Sequence, residues 1–177
     1  VRLVGSEMCI RDSLDAQKTT GVRVSLFLIV ALPFLGALLP GLMNSAGRQA
    51  CAGVTFTVSL AAMIGLLTNL PAVIAGDLVT ARVDWVPSLG LNFTLMLDGL
   101  GFFFAFLILG IGLLIIAYAR FYLAREDNMG EFFTYFLLFQ GAMVGIVLSD
   151  NILLLLVFWE LTSLSSFLLI GYWKHLP

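Results

Sequence analysis

The stretch GLGFFFAFLILGIGLLIIAYA, residues Gly99 to Ala119, decides the fold class. It carries no charged or amide side chain, and at about 1.5 Å of rise per residue a helix of this length crosses about 30 Å of hydrocarbon. A helix satisfies its own backbone hydrogen bonds, which hydrocarbon demands of any spanning segment. Moving outward, four more apolar runs of similar length flank it, at 24–43 and 49–70 before it and at 132–148 and 151–173 after it. Asn44, Ser45, Gly47 and Arg48 make the first two runs a helical hairpin, and Pro33 is expected to kink the first. Composition agrees: 60% of the 177 residues are hydrophobic and 11% charged, against about 25% charged in soluble domains. The expectation is an all-α membrane protein of five transmembrane helices, with the lipid bilayer as its first partner.

Between the second and third spans the period changes. Val79, Ala81, Val83 and Trp85 alternate with Thr80, Arg82 and Asp84, and after Pro87, Ser88 and Gly90 the residues Leu91, Phe93 and Leu95 alternate with Asn92 and Thr94. That pattern predicts a β-hairpin over 79–95. A sheet edge cannot face lipid, so the hairpin is expected outside the hydrocarbon against the helix ends. The positive-inside rule, weighing Arg48, Arg120, Arg125 and Lys174 against Lys18, Arg23 and Arg82, puts the N-terminus and the hairpin outside. Residues 1–23 read as a leader. Within it Val1 to Ser13 are polar and aperiodic, and SEMCIRDS resembles the translation of a sequencing-adapter read, so the native start is expected at Val22 or Val24.

With 9 Lys+Arg against 11 Asp+Glu and no basic run, nucleic acid is not an expected partner. Cys9, Cys51 and His175 do not make a metal-ligand set, and no nucleophile-and-base pair or nucleotide loop points to a cofactor or to an enzyme. The informative residue is Glu160, near the middle of the fifth span. A carboxylate in hydrocarbon costs several kcal/mol, so it is expected to be buried in a bundle interior or water-filled path, as a proton or cation relay or as a protonated hydrogen-bonding contact between helices. Ser163 lies on its face, with Thr162, Ser165 and Ser166 nearby, where hydroxyls either solvate a carboxylate or permit close helix contact. Gln140, in mid-span four, needs a partner too, and is expected to share an interior seam with Glu160. Gly141 and Gly145 permit close helix approach. Asp98 and Asp150 sit at span starts, where a carboxylate caps free amides, and Asp150 is also a candidate ion entrance. Glu126, Asp127 and Glu131 with Arg120 and Arg125 read as a solvated loop; Tyr172, Trp173 and Lys174 read as interfacial anchors.

Three stretches carry a family resemblance: SDNILLLLVFWELTSLSSFLLIGYW (Ser149 to Trp173), VDWVPSLGLNFTLMLDGLGFFFAFLILGIG (Val83 to Gly112) and ARFYLAREDNMGEFFTYFLLFQGAMVGIVLS (Ala119 to Ser149). They resemble the proton-translocating superfamily shared by Mrp-type multisubunit cation/proton antiporters and the membrane-arm subunits of respiratory complex I. After the glutamate, TSLSSFLLIGYW looks more like the Mrp A-type protein than like the L-type protein of complex I. The resemblance implies that residues 24–177 are the N-terminal portion of a longer subunit in a bacterial inner membrane. It implies other antiporter subunits, Na+ or K+, and protons as partners. It also places Glu160 as the glutamate that pairs with a lysine two helices further on; none of the nine Lys or Arg here lies inside a span to do so. A proton-pumping subunit of a quinone-reducing or hydrogenase complex, and a non-transporting scaffold, are the alternative readings.

Overall fold

The computed structural model describes residues 25–42, 47–86, 91–123 and 128–172. Residues 1–24, Asn44 and Ser45, Pro87 to Gly90, Arg125, Glu126 and Asp127, and Trp173 to Pro177 lie outside the described residues. The elements run α1 (Ser25–Leu42), α2 (Arg48–Leu67), α3 (Leu70–Ile74), β1 (Val79–Val86), β2 (Leu91–Leu97), α4 (Gly99–Tyr122), α5 (Met129–Leu148) and α6 (Ile152–Ile170). Among the described residues, five helical segments are long and apolar enough to cross a membrane, α2 and α3 counting as one. The architecture is mostly helical, with a two-stranded antiparallel hairpin between the second and third spans.

Several boundaries differ from the hydropathy pattern for local reasons. Pro71, expected outside the second span, opens α3, because a proline in the first turn lacks only an amide that has no helical partner there. The chain then leaves α3 through Gly76 at φ +80, with Asp77 N donating to Ala72 O and Gly76 N to Val73 O, a glycine-terminated helix end that turns it into β1. α4 runs on through Arg120 to Tyr122, and the guanidinium of Arg48 at the start of α2 donates to Leu123 O at 2.6 Å beyond that end. α1 continues as helix through Pro33.

The hairpin pairs Val79 with Leu97 and Ala81 with Leu95, with one irregularity between Asp84 and Val86. These four side chains are buried, and they join Leu26, Leu66, Leu148 and Leu154 in one core under the sheet. The alternation read in sequence is therefore the alternation of a sheet packed by one face on helix ends.

α5 is the central column, packed against α2, α4 and α6. Half of its apolar window is buried, against 17% for α6. The two glycines read as a close-approach pair serve different neighbours. A Cβ at Gly141 would meet Pro33 and Phe34 of α1 at 3.1 Å, whereas one at Gly145 would sit 2.6 Å from Phe158 Cγ on α6. Since interiors are close-packed, filling the second position forces that ring to move. Gly145→Ala is expected to destabilise the protein by about 1–3 kcal/mol through overpacking, measurable as a lowered unfolding midpoint of the full-length protein in bicelles, with Gly53→Ala, which meets nothing within 4 Å, as the neutral comparison.

Candidate functional site

α6 begins at Asn151, whose side chain accepts from Leu153 N at 2.9 Å. This corrects the expectation that Asp150 caps the helix: Asp150 is exposed, and its backbone amide donates to Thr94 O at 3.1 Å instead. Asp98 does cap α4, accepting from Gly101 N at 2.6 Å. α6 buries Leu154, Phe158 and Ser165. Turned about 200° from Phe158 at 3.6 residues per turn, Glu160 is exposed, with Leu153, Leu156, Leu164 and Phe167 exposed around it. Within this chain the glutamate is thus on the outer face of α6, not in the interior as expected.

The hydroxyls near Glu160 serve their own helix. Thr162 Oγ1 donates to Trp159 O at 2.6 Å, Ser163 Oγ to the same carbonyl at 3.4 Å, Ser165 Oγ to Leu161 O at 2.7 Å and Ser166 Oγ to Ser163 O at 2.9 Å. Short hydroxyl side chains in a helix commonly return to such carbonyls. Thr162, Ser163 and Ser166 also line a groove of about 390 Å³ between α5 and α6, with Phe139 and Met143 across it.

Gln140 points elsewhere. It is 2% exposed, accepts from Ser59 Oγ of α2 at 2.7 Å, and donates through Nε2 to Ile108 O of α4 at 3.4 Å. Its amide occupies the space that a side chain at Gly112 would need. The shared seam with Glu160 is overturned: the amide joins α2, α4 and α5, on the other side of α5. Ser59 was not singled out in sequence, although a hydroxyl between Val58 and Leu60 in mid-span was the available signal. Among the described residues no group of three His, Cys, Asp or Glu is placed to hold a metal. Glu160 is the one Asp, Glu, Lys or Arg away from the ends of the described helices, since Arg48, Arg120 and Glu131 sit in first or last turns.

Known proteins resemble this chain in sequence and in fold. Residues 85–133 match the family described as NADH-Ubiquinone oxidoreductase (complex I), chain 5 N-terminus. Over 152 residues, 86% of this chain, it is 47% identical to the A/B subunit of a probable K(+)/H(+) antiporter of Rhizobium meliloti (strain 1021), and covers 15% of that protein. Over 151 residues, 85% of the chain, it is 43% identical to the A1 subunit of the Na(+)/H(+) antiporter of Staphylococcus aureus, covering 19% of it. The structure of the Mrp complex from Dietzia sp. DQ12-45-1b contains a chain that matches 82% of this one with a TM-score of 0.73 and 32% identity, over 16% of its own length. This chain is a relative of the Mrp A-type antiporter proteins. It spans less than a fifth of their length. A chain of the membrane-bound sulfane sulfur reductase, an archaeal respiratory membrane complex, shares the fold at a TM-score of 0.64 and 19% identity, covering 81% of this chain and 22% of its own. Five spans and bacterial relatives make this chain a multi-pass protein of the bacterial cell (inner) membrane.

The geometry separates two polar loci that sequence had joined. Ser59→Ala combined with Gln140→Leu is expected to be non-additive by about 0.5–1.5 kcal/mol, whereas Gln140→Leu with Glu160→Gln should add within about 0.5 kcal/mol. Unfolding double-mutant cycles on the full-length protein check both pairs.

Proposed function

We propose that the chain forms part of one subunit of a multisubunit Na+ or K+/proton antiporter, and that Glu160 stands in its proton or cation pathway. The observation that carries the reading is a carboxylate near mid-depth on an exposed, largely apolar face of a spanning helix, with Ser163 as its polar neighbour. Lipid contact would cost that group several kcal/mol, so in the assembled protein the outer face of α6 is covered by protein or water. The names of the relatives support antiport, and they name both K(+) and Na(+), so the chain is assigned to monovalent cations as a class. Further subunits of such an antiporter are its partners, and the chain works as part of a transporter rather than as an enzyme.

The proposed mechanism is electrostatic. A carboxyl in a low-dielectric site prefers its neutral form, and a lysine brought beside it stabilises the charged form of both. The family resemblance puts such a lysine two helices beyond α6. Forming and breaking that pair shifts the proton affinity of each member, which couples proton movement to the cation gradient. Asp150, exposed at the foot of α6, is proposed as an entrance residue, and Ser163, lining the groove next to Glu160, as a hydroxyl available to water or an ion there. Gln140 is proposed in a lesser role, as a member of the polar framework of the pathway.

A second reading is favoured by the family match at residues 85–133: a proton-pumping component of a redox-driven complex. Cation-driven proton movement without a redox substrate separates the two. Glu160→Gln in the full-length protein, co-expressed with its partner subunits, is expected to reduce Na+- or K+-driven proton exchange in everted vesicles to background while the assembled complex stays at wild-type amount. Wild-type exchange would remove Glu160 from the pathway, and loss of the assembled complex would make it a scaffold contact.

A further inference from the structure

β2 does more than pair with β1. Leu95 bridges in antiparallel fashion to Ser149, Asp150 N donates to Thr94 O at 3.1 Å, and Asn151 Nδ2 donates to Asn92 O at 3.5 Å. The three residues that lead into α6 are thus held along the free edge of the hairpin like a short third strand. Higher on the helix a second contact comes from the same strand. The Phe93 ring meets Phe158 edge-on at 6.2 Å and Phe27 of α1 at 5.8 Å, and Phe158 also stacks on Phe34 at 6.2 Å. The other side of the Phe158 ring fills the hollow at Gly145. Phe158 is two residues from Glu160.

We propose that β2 is a positioning clamp for α6. Its backbone holds the start of the helix and so sets its depth, and Phe93, acting through Phe158, sets its rotation and therefore the direction of Glu160. A rigid helix fixed in depth at one end and in azimuth at a second point keeps little freedom of movement along or about its axis. α6 also packs against α5, where Phe158 sits at Gly145, and β2 adds the backbone contacts at the start of the helix and the ring contact at Phe158. Antiparallel pairing fixes an edge strand by direction-specific backbone bonds, and an aromatic ring between two others has few alternative seats. Phe93 and Asn151 are therefore positioning residues. Their effect on transport rests on the pathway role proposed for Glu160; their effect on where residue 160 points does not.

Both consequences are read in the full-length protein assembled with its partner subunits. For the first, Glu160→Cys in a cysteine-free background is labelled with a maleimide. Adding Phe93→Ala is expected to change the labelling rate of residue 160 several-fold, and Phe93→Tyr to restore it. For the second, with Glu160 intact, Phe93→Ala should displace the pH profile of cation-driven exchange while Phe93→Tyr keeps it. Asn151→Asp keeps the acceptor that caps Leu153 N but loses the donor to Asn92 O, and it should shift both readouts in a complex that still assembles. Unchanged labelling and an unchanged pH profile in Phe93→Ala and Asn151→Asp would overturn the clamp. If Glu160→Gln transports normally while Phe93→Ala still alters labelling, the clamp stands and the pathway role falls; the reverse pattern removes the clamp alone.

Discussion

Hydrocarbon offers no hydrogen bonds, so every polar group at membrane depth has to find its partner within protein or water. The bundle meets this requirement at short range wherever it can. Hydroxyls on α6 bond carbonyls of their own helix, and Thr55 Oγ1 on α2 does the same with Cys51 O at 2.8 Å. Where a side chain is too long or too polar for that, helices are drawn together around it. Gln140 has donors and acceptors that one helix cannot satisfy, and it takes a hydroxyl from α2 and a carbonyl from α4. Gly112 leaves the notch that the amide fills. Asn69 works similarly at the end of the second span, donating to Gly65 O and to Ser25 Oγ of α1.

Apolar length and strand alternation were legible in the sequence because each is a one-dimensional property. Five helices and one hairpin follow from run length and period alone, and the capping role of Asp98 follows from its place before a glycine-led apolar run. Azimuth was not legible. A helix that is apolar on every side has no polar face to say which side turns inward, so a shared seam for Gln140 and Glu160 was as compatible with the pattern as the opposed directions that the packing gives them. The cap of α6 was misplaced by one residue for a related reason: Asp150 and Asn151 are both good caps, and the choice is made by Thr94 and Asn92 on a strand far away in sequence, which recruit the Asp150 amide and the Asn151 side chain. Pro71 reads as a break in a hydropathy plot and serves as a helix start in three dimensions.

The hairpin solves two constraints at once. Two strands alone leave both outer edges unpaired and are marginal as an isolated unit. Packing Val79, Ala81, Leu95 and Leu97 on the helix ends supplies the apolar face, and the turn between α5 and α6 covers part of the β2 edge. The same contacts join the hairpin to α6 more directly than to α2 or α5, since Phe93 reaches the ring next to Gly145.

α6 differs from α5 in what its surroundings demand of it. A wholly apolar outer face would be equally content against lipid tails or against another helix, because tails are as apolar as leucine. Glu160 removes that indifference. With the carboxylate in the middle of the face, lipid is the expensive neighbour, and a surface supplying water, hydrogen bonds or a cation is the favoured one. Apolar residues around such a carboxylate lower the local dielectric, and attraction between opposite charges grows as the surrounding dielectric falls. On this argument the sparse packing of α6 and the single carboxylate belong together: the helix is held along one side by β2, Phe34 and Gly145, and the side that carries Glu160 is left exposed within this chain.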